Sequence, residues 1–68
     1  MARFNEVNRE IKKAFPSLDI EVVRGEGYVY FTGDSAYEYD VESIMTHPVS
    51  TSTEDLIRMC KEELNDLA

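Results

Sequence analysis

The stretch LDIEVVRGEGYVYFT, residues 18–32, decides the fold. Its first six residues alternate. Leu18, Ile20 and Val22 fall on one side of an extended chain, with Asp19, Glu21 and Val23 on the other, which is the period-two signature of a strand with one buried face. Arg24-Gly25-Glu26-Gly27 follows, a turn signal with two glycines able to take positive φ. Tyr28–Thr32 is then a run rich in aromatic and β-branched residues, ended by Gly33. Two such runs divided by a short glycine-containing loop predict a β-hairpin. If Val29 and Phe31 face the core, Tyr28 and Tyr30 point to the opposite face, near Glu21 and Val23.

On the N-terminal side of the hairpin, Phe4, Val7, Ile11, Ala14 and Phe15 recur at spacings of three and four, which predicts an amphipathic helix. Pro16 ends it, because the residue before proline is pushed out of the α region. On the C-terminal side, DSAYEYD (34–40) reads either as an extension of the second strand or as a loop. VESIMT (41–46) alternates and predicts a third strand, closed by His47-Pro48 because proline cannot donate to a ladder. The tail reads as a helix. Ser52 and Asp55 have the spacing of a capping box, Leu56, Ile57, Cys60, Leu64 and Leu67 form an apolar stripe, and Glu54 with Arg58 makes an i,i+4 pair. The expected fold is therefore α+β in the order α-β-β-β-α. It has a three-stranded antiparallel sheet with both helices on one face, and its other face is open to solvent or a partner.

The chain has 68 residues, which makes residues 1–68 a single small domain. A core of this size rarely supplies more than about 3–5 kcal/mol. Cys60 is the only cysteine, so no intramolecular disulfide can form. A lone thiol fits a reducing, cytoplasmic compartment. The opening MARFNEVNREIKK is charged and is not expected to act as a signal peptide. No stretch approaches the ~20 apolar residues of a membrane span, so no membrane association is expected.

The formal net charge is −7, and it is unevenly placed. Residues 1–24 and 58–68 nearly balance. Residues 25–57 hold Glu26, Asp34, Glu38, Asp40, Glu42, Glu54 and Asp55 without one lysine or arginine. Such a field repels nucleic acid and anionic lipid and favours a basic protein partner. All four tyrosines, Tyr28, Tyr30, Tyr37 and Tyr39, lie in the same segment. Tyrosine combines rigid area with a polar tip and is enriched at protein interfaces, although it also favours strands for purely structural reasons. The expected partner-binding surface comprises Tyr28, Tyr30, Asp34, Tyr37, Glu38, Tyr39, Asp40 and Glu42.

The residues argue against the other chemistries considered. His47 and Cys60 are the only soft metal ligands, without the spacing of a zinc site. Cys60 falls in the apolar stripe, where burial raises a thiol's pKa and opposes nucleophilic catalysis. Gly25, Gly27 and Gly33 lack the spacing, the following helix and the lysine of a phosphate loop. No catalytic, metal or cofactor residue is assigned, and no enzymatic activity is expected.

The order α-β-β-β-α resembles that of the double-stranded RNA-binding domain. That family grips phosphates with lysines at the start of its last helix, where this chain reads STEDLIR. The stretch IKKAFPSLDIEVVRGEGYVYFTG (11–33) combines a helix ending in Phe-Pro, an amphipathic strand, Arg-Gly-x-Gly and Tyr-x-Tyr-Phe. In that pattern it resembles small phage and prophage proteins and the small domains of polyvalent phage proteins. The resemblance covers about a third of the chain. It implies a prokaryotic or phage-infected cytoplasm and carries no function.

The leading functional expectation is a small acidic interaction module. In a sharper version it is an accessory or host-modulating factor whose carboxylates mimic nucleic-acid phosphates and block a basic protein. The alternative is a structural module that self-associates, as a homodimer, with its charge serving solubility. A minor alternative is nucleic-acid binding through stacked sheet aromatics.

If the helix-1 stripe is correctly placed, Ile11→Ala removes buried volume and destabilises the domain by about 2–5 kcal/mol. Thermal denaturation checks this. A wild-type melting temperature in the variant would show that Ile11 is not in the core.

Overall fold

A computed structural model describes residues 2–67. Its elements in chain order are α1 (Phe4–Ala14), β1 (Glu21–Arg24), β2 (Val29–Thr32), α2 (Asp34–Glu38) and α3 (Thr53–Asn65). The fold is α+β, and β1 and β2 form a two-stranded antiparallel sheet.

The α1 stripe lies as its spacing predicts at four of its five positions. Val7 and Ile11 are fully buried, and Phe4 and Phe15 pack partly against the core, whereas Ala14 is exposed. In α3, Leu56, Cys60 and Leu64 are fully buried, with Ile57 and Leu67 beside them. The Ser52 side chain caps α3 by accepting from the Asp55 N–H at 3.1 Å. Arg58 meets Asp55 and Glu62 rather than Glu54. These are exposed pairs that contribute little to stability.

The two long helices run side by side in the same direction. At one end the Arg3 N–H donates to Thr53 Oγ1 at 2.9 Å; at the other, Phe15, Leu64 and Leu67 line a common groove. A parallel pair needs a long return connection, and the hairpin and α2 supply it.

The hairpin pairs Val22 with Phe31 and Val23 with Tyr30. Val22, Val29 and Phe31 are buried, which fixes the inner face. Gly25 closes the turn by donating to the Tyr28 carbonyl at 2.9 Å, and Gly27 takes φ +77°, a conformation open to glycine without a Cβ penalty.

Each strand's outer edge is treated differently. Along β1, Val22 turns its backbone groups away from β2 and towards α1. Its N–H donates to Asn8 Oδ1 at 2.6 Å, and its carbonyl accepts from Asn8 Nδ2 at 3.0 Å. The same Nδ2 also reaches the Phe4 carbonyl at 3.0 Å. The Asn8 carboxamide thus stands in for a neighbouring strand, because it offers one donor and one acceptor side by side, as a peptide unit does. Along β2, the neighbour is a single bridge. Val29 and Ile44 exchange both backbone hydrogen bonds, at 3.0 and 2.8 Å.

That bridge is what remains of the expected third strand over 41–46. The reason lies in DSAYEYD, where residues 34–38 form a one-turn helix instead of a strand extension or loop. The helix ends in a Schellman motif. The Asp40 N–H bonds the Tyr37 carbonyl, the Val41 N–H bonds the Ala36 carbonyl, and Asp40 sits at φ 52°. This turn leads the chain away from β2 until Ile44. The observed order is thus α-β-β-α-α, with an isolated bridge between the last two helices.

The Asn8 clamp gives a direct test. Asn8→Ala leaves the partly buried N–H and carbonyl of Val22 without partners and should destabilise by about 1–3 kcal/mol. In a domain of this size that lowers the melting temperature by several degrees, about 4–8 °C per kcal/mol. An unchanged melting temperature would show that the clamp adds nothing to stability.

Candidate functional site

The eight residues expected to form one surface do not all lie together. Tyr28 and Tyr30 lie together on the outer face of the hairpin, with ring centroids 5.9 Å apart and planes tilted by 38°. The Tyr28 ring also covers Gly25, where an added Cβ would come within 2.7 Å of it. Each ring shields the other, so Tyr30 is half-buried and Tyr28 is 37% exposed.

Tyr37, Asp40 and Val41 form a second group. They face the end of β2 across an open cleft of about 670 Å³, whose other lining residues are Phe31, Thr32, Gly33 and Ala36. Tyr37 is 91% exposed, the most exposed large hydrophobic side chain described. Tyr39 turns the other way. With Phe15, Leu18, Leu64 and Leu67 it lines a smaller groove at the C-terminal ends of α1 and α3.

The carboxylates Asp34, Glu38, Asp40 and Glu42 form an exposed series that overlaps the cleft at Asp40. The ion pairs along α1 and α3 include none of these acids. Asp34, in the first turn of α2, suits the positive end of a helix. Glu38 does not, since it occupies the last turn, where a cation would be favoured. Asp40 takes a left-handed conformation for which glycine is the usual residue. Local structural preference therefore explains Asp34, accommodates Asp40, since aspartate and asparagine are the commonest non-glycine residues in that conformation, and leaves Glu38 unexplained.

Hydrogen bonds to Asp19 anchor the start of this acidic stretch. The Ser35 N–H donates to the Asp19 carbonyl at 3.1 Å, the Asp34 N–H donates to Asp19 Oδ2 at 3.3 Å, and the Asp19 N–H donates to Ser35 Oγ at 2.8 Å. Gly33, at φ 108°, packs so closely that a Cβ would run into the Asp19 carbonyl. Asp19, Ser35 and Gly33 thus pin α2 to the segment ahead of β1. Sequence reasoning missed this role. It missed Asn8 and Val41 as well, because none of them carries a local signal of its long-range contact.

His47 is exposed on the turn before α3, and its Nδ1 accepts from the Val49 N–H at 3.4 Å. Cys60 is fully buried, and burial, with a smaller contribution from Glu63, pushes its thiol up to about 12. A thiol in that state is not a nucleophile at neutral pH. Among the described residues, no three or more His, Cys, Asp or Glu side chains are grouped to hold a metal ion, and no helix is long and apolar enough to cross a membrane. Comparison with protein-family models, curated proteins and solved structures found no match.

The burial of Cys60 predicts that the folded protein resists thiol-modifying reagents at about pH 8 and reacts once unfolded. The raised value also sets a pH dependence. Above the ordinary value of 9.0 the thiol ionises in the unfolded chain and stays protonated in the folded one until about 12. Stability from this group is therefore intact below 9.0 and is lost as pH rises across that window. Rapid modification under native conditions would contradict both statements.

Proposed function

We propose that this chain is a non-enzymatic interaction module whose acidic stretch, Asp34 to Glu42, docks on a basic protein in a prokaryotic or phage-infected cytoplasm. The observation that carries this reading is the combination found on and just after α2. Exposed carboxylates follow the 91% exposed Tyr37 at Glu38, in a last helical turn that helix electrostatics do not favour, and at Asp40, which lines the same cleft as Tyr37. Exposed aromatic area ringed by uncompensated charge of one sign suits a partner of the opposite sign. In this reading the protein is an accessory or host-modulating factor, with carboxylates placed where a nucleic acid's phosphates would meet the same partner.

A second reading is supported by the hairpin's outer face, where Val23, Tyr28 and Tyr30 make a continuous aromatic and aliphatic strip. In that case two copies associate through the strip as a homodimer, and the acids serve solubility.

The two readings predict opposite results. In the first, the protein is a monomer by light scattering, and a basic partner captured from host extract at low salt is released near 1 M salt, where the Debye length shrinks to about 3 Å. A variant combining Tyr37→Ala with Glu38→Lys fails to capture it. Capture that survives 1 M salt, or that the variant retains, would sink the acidic-docking reading. A stable dimer dissociated by Tyr30→Lys would establish the second.

A further inference from the structure

The cleft beside Tyr37 contains an unfinished sheet edge. In β2 the backbone groups of Val29 point away from β1 and are satisfied by Ile44. Strand alternation turns the N–H and carbonyl of Phe31, two residues on, in the same direction. A continued third strand would have met them at Glu42. The Schellman turn at Asp40 instead carries the chain to the far side of the cleft, and no described residue hydrogen-bonds the outward backbone groups of Phe31. The edge is short, since Ile44 blocks it at Val29 and α2 begins at Asp34, so roughly two residues of extended chain, about 7 Å, fit along it.

The walls of the cleft indicate what fits. Phe31, Ala36 and Val41 are apolar, Tyr37 offers an exposed ring, and Asp40 contributes a carboxylate. Asp34, Glu38 and Glu42 adjoin these residues in sequence, and no lysine or arginine occurs between residues 25 and 57. A second copy of this chain would bring the same acids against themselves, whereas a basic segment would neutralise them.

We propose that this cleft receives a short extended segment of a basic partner protein, which adds to β2 through the outward N–H and carbonyl of Phe31 and sets its basic side chains against Asp40 and its neighbours. The proposal rests on the acidic-docking reading above and adds to it a main-chain register and a side-chain preference.

Nuclear magnetic resonance titration of the isotopically labelled protein tests it, with a short acetylated peptide of alternating arginine and valine as the probe. The Phe31 amide should shift and gain protection from exchange. N-methylation of the alternate peptide amides that face β2 should weaken binding by about three- to tenfold, the worth of a hydrogen bond, whereas methylation of the other set should not. Tyr37→Arg, at a site too exposed to disturb folding, should weaken binding and leave the melting temperature unchanged. Equal binding by both methylated peptides, with shifts confined to the acidic residues, would overturn strand addition while leaving acidic docking intact. Absence of any binding by the basic peptide or by basic proteins at low salt would overturn both. A Phe31 shift that grows with protein concentration in the absence of peptide would overturn the proposal by showing that a second copy occupies the edge.

Discussion

The fold depends on one face of α1. Val7 and Ile11 sit at its centre, fully buried, and α1 is the element packed against both β1 and α3. It joins α3 to the hairpin: α3 and β1 lie on α1, β2 pairs with β1, and α2 packs on β2. With a single cysteine, the chain has no covalent means of holding these pieces together. Their cohesion comes from burying the two helix stripes and the inner hairpin face in one cluster, the route open to small domains without disulfide or metal.

The acidic stretch is attached to this core without being part of it. Ala36 and Ser35 are buried and anchor α2, and the Asp19 hydrogen bonds orient it. The segment's acidic side chains and Tyr37 project outward, while Val41 packs against the core. The first of these acids, Asp34, is anchored through Asp19 to the segment ahead of β1. The single acid pinned into a left-handed conformation, Asp40, lies where the turn diverts the chain from β2, so the same residue shapes the cleft and charges it.

Periodicity carried the long-range outline. Helical spacing located α1 and α3, Pro16 marked the first stop, and Ser52 marked the last start, because each of these signals is written in neighbouring residues. Alternation and the Arg-Gly-Glu-Gly turn located the hairpin and its inner face. DSAYE became a helix against expectation because so short a helix has too little intrinsic stability to show itself locally. It exists here through Asp19, far away in sequence. The third strand was read from the alternation of VESIMT, but pairing needs an approach as well as a pattern, and the turn at Asp40 limits that approach to Ile44. Of the candidate surface, the tyrosines and acids were visible as a composition anomaly. Their division between the hairpin face, the cleft and the smaller groove beside Leu64 was not, since it depends on the direction in which α2 leaves the sheet.

The Asn8 clamp also has a consequence for assembly. By occupying the outer edge of β1 with a side chain, it leaves the hairpin only one edge able to accept a strand. A two-edged hairpin can stack without limit, each molecule offering a fresh edge to the next, and this is the geometry from which fibres grow. A one-edged hairpin is monovalent. Any association through β2 ends after one event, giving a complex of defined stoichiometry.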